Sequence, residues 1–407
     1  MKTTHTLHLF SNIYPNGDGE PFLESELYFL APKFEKIIIY PAGGTKAIKK
    51  IPLNAEVVNL HSENIKFSTL NIVFRNLFLV FGVHWKELMK SKNKSTYLKH
   101  FREFNSRLCK SICLANSIKS KWQTNPDKND IFYSFWMNET AVALSVLKSK
   151  NEIQKYAFRV NGFDLYENQT KWNYIPFRPF NFTNTSKVFV VSKTGADYLK
   201  SFKIYPKKIE CSYFGTKDYG MSEFDSAGKF CIFTCSNLNS LKRADALVDI
   251  LKYISIPVKW IHHGNKGDSE KTFFEKIKEL ASNVEFELHE RKENYEEVMQ
   301  FMKSTSINLF ILLSRTEGLP VTLIEASSFG IPIIATNVGG VSEVVTERNG
   351  ILIEKDFDPK KIASIISNFM SGSKNTIEFR KQVRLFWEEK FNGTNNYSLF
   401  YNKLISC

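Results

Sequence analysis

From Lys229 to Met370 the chain repeats one pattern: a short apolar run, then about ten residues of helical periodicity. Lys229–Thr234, Val258–His262, Ile307–Leu313, Pro332–Ala335 and Gly350–Ile353 read as strands. Ala244–Tyr253, Glu270–Ala281, Pro320–Phe329 and Pro359–Met370 read as helices between them. Runs apolar on both sides are strands covered on both faces, and strands separated by helices run parallel. The pattern therefore specifies an open α/β sheet. A looser version precedes it, with strands at Thr6–Phe10, Lys36–Tyr40, Ile131–Ser134, Tyr156–Val160 and Val188–Ser192. The first is followed by a turn-rich loop, Pro15 to Gly19, and a helix from about Pro21 to Leu30.

The 407 residues accommodate two such domains. The expected architecture is two facing Rossmann-like, doubly wound domains, residues 1–212 and 213–376, joined near Gly215–Gly228. A helical segment, 377–407, is expected to return to the first domain. Open parallel sheets bind ligands beyond the carboxyl ends of their strands, so facing domains would place the site in the cleft between them.

The stretch Ser314–Gly350 carries the chemistry. It orders a strand, Glu317-Gly318-Leu319-Pro320, a helix containing Glu325, Gly330-Ile331-Pro332, a strand, and Gly339-Gly340. Pro320 suits the first helical turn, where its missing N–H costs nothing. The helix start offers free N–H groups and positive potential for a pyrophosphate. Glu325 lies about 7.5 Å further along the axis, at 1.5 Å per residue, and can address another part of an elongated ligand. The spacing of the two glutamates alone means nothing in a chain with 30 of them; Glu279/Glu287 and Glu285/Glu293 repeat it.

This stretch resembles the donor-site motif of retaining GT-B glycosyltransferases, the glycosyl transferases group 1, and the resemblance extends more weakly over most of the chain. It implies that Glu317 lies beside the donor sugar and phosphate, and that Glu325 accepts hydrogen bonds from the ribose. In Phe233–Leu247, Lys242 matches the lysine that neutralises the pyrophosphate. Asn237 stands where relatives have arginine, and Arg243 where they often have glycine. Gly264, after His262-His263, falls on a strand-end glycine of the family. Gly17, Gly19 and Glu20 match the first loop, on the acceptor side. Arg159-Val160-Asn161-Gly162-Phe163-Asp164 resembles a segment in which a histidine, replaced here by Asn161, contacts the donor sugar. The resemblance thus implies catalytic roles for Glu317 and Asn161, donor contacts at Asn237, Lys242, Arg243, Gly264, Gly318, Leu319, Pro320 and Glu325, and acceptor-side contacts at Gly17, Gly19, Glu20, Arg159 and Asp164.

It also implies the substrates: a UDP- or GDP-linked sugar, donating a hexose or N-acetylhexosamine with retention to a saccharide acceptor in surface polysaccharide synthesis. No cofactor is expected, and Asp356-Phe357-Asp358 is read as a loop with Asp358 capping a helix rather than as a cation site. Because Asn161 and Asn237 replace a titratable and a charged residue, a non-catalytic nucleotide-sugar-binding protein stays open. So does a sugar-nucleotide epimerase.

Charge separates the halves. Residues 1–212 hold 31 Lys+Arg against 17 Asp+Glu, the remainder 24 against 25. The basic half is densest from Lys86 to Lys121, which reads either as a solvated face or as an attraction to an anionic partner; without a nucleic-acid-binding motif beside it, the partner favoured is an anionic membrane surface with a lipid-linked acceptor rather than nucleic acid. Leu70–Val83, the most apolar stretch, is too short to span a bilayer. It reads as a buried helix, or as one lying flat on a membrane. Met1–His8 shows no secretory leader, and six scattered cysteines suit a reducing compartment. Both point to a cytoplasmic protein, at most peripheral to the inner face of the membrane.

Overall fold

The computed structural model describes residues 3–17, 20–44, 49–60, 69–122, 125–290 and 295–407. The chain divides into two compact units, residues 1–213 with 397–407, and residues 214–396.

The first unit is built on β1 (Thr3–Ser11), β2 (Phe34–Pro41), β3 (Ala55–Val57), β4 (Ile131–Ser134), β5 (Lys155–Val160), β6 (Lys187–Val190) and β7 (Ile209–Cys211). They form a seven-stranded sheet in the order β3-β2-β1-β4-β5-β6-β7. The second unit holds β8 (Phe230–Cys235), β9 (Val258–Gly264), β10 (Val284–Glu290), β11 (Leu309–Leu312), β12 (Ile333–Thr336) and β13 (Gly350–Ile353). Its six strands are ordered β10-β9-β8-β11-β12-β13. Both sheets are parallel and doubly wound. Each strand order reverses direction once, between β1 and β4 in one unit and between β8 and β11 in the other. Such a reversal opens a crevice at the strand carboxyl ends.

The unbroken apolar runs are what bury the strands: every residue of β4, β8, β11 and β12 is buried. Helices start where side chains cap them. Asn138 accepts from Thr140 N, Ser192 from Gly195 N, and Thr376 from Phe379 N. Asp358 accepts from Lys360 N at 3.0 Å, the capping role expected of it.

The apolar stretch near residue 70 differs from the buried helix expected. It forms two helices, Thr69–Arg75 and Leu77–Lys90, and much of its apolar surface faces outward. Segment 377–407 is shared. The helix Ile377–Lys390 lies in the second unit, and residues 397–407 lie in the first.

Candidate donor and acceptor sites

In the second unit, two loops meet at the β8/β11 reversal. After β8 the chain turns through Asn239, whose side chain accepts from Lys242 N at 2.9 Å. After β11 it runs from Leu313 to Pro320, and Arg315 N donates to Leu241 O at 2.7 Å, joining the loops. Lys242 Nζ then reaches Glu317 Oε1 at 2.6 Å, and Ser314 Oγ donates to the same oxygen at 2.6 Å. The carboxylate is buried while the lysine side chain keeps 31% of its exposure, so the ammonium is held on a fixed seat in a partly open side chain. Two residues implicated by separate sequence patches are thus brought together.

A glycine pair closes over them. Gly340 N donates to Gly318 O at 2.9 Å. Gly339 adopts φ +54°, and a Cβ there would lie 1.8 Å from Glu317 O, so only glycine fits. Leu319 and Pro320 follow, both buried. Pro320 stands one position before where the sequence placed it: it is the cap of the helix Val321–Ser328 rather than part of its first turn. Its φ of −75° suits that junction, and it carries no group to cap the first N–H donors. Glu325 lies within that helix, buried, and accepts from Tyr295 OH at 2.7 Å.

The β9 end is shaped by contact. A Cβ on Gly264 would sit 1.8 Å from Ser236 O, which explains the glycine. His262 is buried on Thr234 Oγ1 at 2.7 Å, and burial draws its pKa down to about 4, leaving a neutral imidazole. His263 stacks on His289 at 4.7 Å and faces Phe301 at 4.6 Å. With Glu290, Glu297 and Val298 they line a cavity of about 410 Å³. The sequence reading missed His289, Tyr295 and Phe301. β10 mixes acids with its apolar residues, VEFELHE, and so hid as a strand.

Asn237 is exposed on the loop after β8, where a ligand can reach it. Arg243 is engaged within the protein. At φ +52° its guanidinium donates to Leu313 O at 2.7 Å and Lys355 O at 2.9 Å, and lies over Phe357. It is a brace between loops.

In the first unit the sequence-implicated residues follow β1 or lie in and just after β5, and several face inward. The Glu20 carboxylate accepts from the backbone N–H groups of Asn12, Ile13 and Tyr14 at 2.8–2.9 Å, and from Trp136 Nε1 at 2.5 Å. It is consumed in holding the first loop and is not a free ligand group. Gly17 packs on Ile13, where a Cβ would lie 3.2 Å from Cδ1. Gly19 lies outside the described residues.

Arg159 is fully buried: it pairs with Glu26 at 2.8 Å, donates to Tyr133 OH and Ser212 O, and lies under Phe400. Burial opposes its charge and the Glu26 carboxylate more than offsets that, so its pKa is raised. It is core architecture, not an acceptor contact.

Asp164 accepts from Asn161 N, Gly162 N and Met137 N at 2.9–3.1 Å, tying the β4 and β5 loops. Burial raises its pKa while those N–H groups oppose the rise. Asn161 Nδ2 donates to Phe135 O at 3.0 Å, and its Oδ1 is buried without a hydrogen-bond partner. Beside this loop a cavity of about 330 Å³ is lined by Arg107, Asn138, Phe163, Asp164, Lys171 and Trp172, among others. Aromatic faces beside polar groups suit a saccharide. Of that lining only Asp164 was expected as an acceptor-side contact, because Arg107 and Trp172 lie far from any strand end.

Among the described residues no cluster of His, Cys, Asp or Glu is arranged to hold a metal ion. None of the described helices is long and apolar enough to cross a membrane.

Comparison with known proteins gives a family and a fold. Residues 222–386 match the family model of glycosyl transferases group 1. An uncharacterized glycosyltransferase of Methanocaldococcus jannaschii is 28% identical over 252 residues, 59% of this chain and 66% of its own length. The lipopolysaccharide core biosynthesis mannosyltransferase LpsB of Rhizobium meliloti is 38% identical over 68 residues, 16% of this chain and 19% of its own. The chain thus spans less than two thirds of the length of these curated relatives. Among solved structures, Anabaena HepE in complex with UDP superposes with a TM-score of 0.66 at 15% identity, covering 99% of this chain and 100% of that one. The fold is GT-B.

Proposed function

We propose that this chain, which belongs through residues 222–386 to the glycosyl transferases group 1, moves a hexose or N-acetylhexosamine from a nucleotide sugar to a saccharide acceptor, with retention. The observation that carries the reading is the Lys242–Glu317 pair at the β8/β11 reversal, beside an uncapped helix start, with Glu325 further into that helix. A diphosphate takes the partly exposed Lys242 ammonium and the helix N–H groups. Glu325, steadied by Tyr295, takes the ribose hydroxyls, since a carboxylate can accept from both. Glu317 keeps Lys242 in place and orients the donor sugar.

These fixed donors stabilise the leaving diphosphate, whose own oxygen serves as the base for the incoming hydroxyl. That explains how Asn161, which cannot carry a proton, can stand where relatives have histidine. Lys242 supplies the charge otherwise given by a divalent cation, so turnover is expected to persist in chelator. The acceptor enters at the cavity beside Asp164 and Trp172. A surface-polysaccharide acceptor, lipid-linked and met at the cytoplasmic face of a membrane, fits the basic first unit and the likeness to a lipopolysaccharide core transferase.

The test is thermal shift with UDP, GDP and ADP, followed by nucleotide release from a panel of UDP- and GDP-sugars. UDP leads the panel because the HepE structure is a UDP complex. One nucleoside diphosphate raises the melting temperature by several degrees, as about 2.7 kcal/mol at a hundredfold excess over Kd requires. Lys242→Ala weakens that nucleotide about tenfold to a hundredfold, for a charged hydrogen bond of about 1.5–3 kcal/mol, and spares the nucleoside. Glu325→Ala weakens both. No shift with any nucleotide refutes the reading. Binding without release in the presence of acceptor saccharides identifies a non-catalytic binding protein.

A further inference from the structure

The helices Thr69–Arg75 and Leu77–Lys90 are turned against the hydrophobic effect. Toward the core, Leu77–Lys90 places His84 and Glu87, both buried, beside Val80 and Val83. They are anchored there: His84 bonds Tyr97 OH at 2.5 Å and Asn105 Oδ1 at 3.0 Å, and Glu87 accepts from Tyr174 OH at 2.6 Å and Phe177 N at 3.1 Å. Outward, the same helix shows Leu77, Phe81, Trp85 and Met89, four residues apart, and Phe78 at 92% exposure. Leu70 and Phe74, each 82% exposed, extend the stripe onto the preceding helix. An i, i+4 series lies on one helix face. At roughly 150–250 Å² per aromatic side chain, its aromatic residues alone present several hundred Å² of apolar surface, as much as a whole functional patch on a monomer.

Charge identifies the occupant. Residues 69–102 contain Arg75, Lys86, Lys90, Lys92, Lys94, Lys99 and Arg102, and their one acid, Glu87, is buried. At the Lys90 end, an open cavity of about 640 Å³ is lined by Lys90, Lys203, Tyr205, Lys207 and Lys208, among others. An exposed stripe of Phe, Leu, Trp and Met, followed directly in the chain by exposed Lys90, Lys92, Lys94 and Lys99, carries the two chemistries an anionic bilayer offers partners for: acyl chains for the stripe and headgroup phosphates for the lysines.

We propose that these two helices dock the enzyme on an anionic lipid bilayer, lying in its plane. The inference deepens the function proposed above, resting on it for the purpose of docking, which is to meet a lipid-linked acceptor. The binding itself stands on the helices.

The full chain is sedimented with vesicles of phosphatidylcholine, alone or mixed with phosphatidylglycerol. Binding is expected to the mixed vesicles and to fall as salt rises. Brominated acyl chains are expected to quench fluorescence that Trp85→Phe removes. Phe78→Ser/Phe81→Ser and, separately, Lys94→Glu/Lys99→Glu weaken binding at least tenfold while leaving the nucleotide thermal shift unchanged. Equal binding to both vesicle types, no binding at low salt, or binding indifferent to the Phe78/Phe81 variant overturns the proposal. So does a dimer in sedimentation velocity that this variant dissociates without any vesicle binding, which identifies a second copy as the occupant. Loss of the nucleotide shift with vesicle binding intact refutes the donor reading alone.

Discussion

Glu87 is the buried acid on which Leu77–Lys90 is hung. Burial pushes its pKa up to about 8, and the Tyr174 hydroxyl and Phe177 N–H only partly oppose this. Both donors reach Oε1, and Oε2 has no partner, which suits a carboxyl that keeps its proton. Folding therefore takes up a proton between about pH 4.5 and 8. That stabilisation is full below the lower value and is lost as pH rises through the upper, at up to about 1.4 kcal/mol per pH unit. Glu87→Gln keeps an acceptor for both donors and cannot ionise, so its melting temperature should fall less than the parent's between pH 5 and 8. Parallel curves in differential scanning calorimetry would show that Glu87 is charged in the fold. Single residues were legible in sequence where the motif fixes the backbone around them. Glu317, Lys242 and Glu325 sit on loops and a helix whose order the strand pattern dictates. Glu20, Arg159 and Arg243 also lie next to strand ends, but which way a side chain points depends on distant partners: three N–H groups, Glu26, and two carbonyls. No local pattern encodes those.

At the scale of elements, unbroken apolar strands declared themselves. Ile131–Ser134 and Gly350–Ile353 match the structure residue for residue. β10 did not, because an outer strand half-covered on its faces tolerates acids. The stretch from Leu70 misled for the opposite reason: apolar composition says that a helix seeks cover, not what covers it. Loops are equally decisive at the donor site, and Gly339 tests them. Gly339→Ala places a methyl against Glu317 O at a φ the residue disfavours, so the Gly318–Gly340 contact must open. Melting temperature and nucleotide affinity should fall together. Gly220→Ala, also at positive φ but with open space around it, costs only about 1 kcal/mol and leaves affinity unchanged. If both variants bind nucleotide like the parent, the glycine loop does not shape the site.

At the scale of the whole molecule, residues 377–407 do two separate jobs. In the second unit, Arg380 donates to Ile307 O at 2.6 Å, Arg384 pairs with Asp218 at 2.6 Å, and Trp387 Nε1 donates to Thr216 Oγ1 at 2.8 Å. In the first unit, Tyr397 stacks on Phe29, and Phe400 packs on Tyr133 and Phe189 over the Arg159 guanidinium. Removing residues 397–407 therefore strips the first unit of buried aromatic side chains worth about 1.5–3 kcal/mol each, and uncovers a buried ion pair. The second unit keeps Arg380, Arg384 and Trp387 with these partners. Ending the chain after Asn396 should lower the stability of the first unit and preserve the shift a nucleoside diphosphate gives the second. Ending it after Asn375 also deletes Arg380, Arg384 and Trp387, leaving Ile307 O and Thr216 Oγ1 without their partners, and should abolish that shift. Calorimetry of the two truncations with and without nucleotide separates the cases. Loss of the response already at Asn396 would mean that nucleotide binding draws on the first unit.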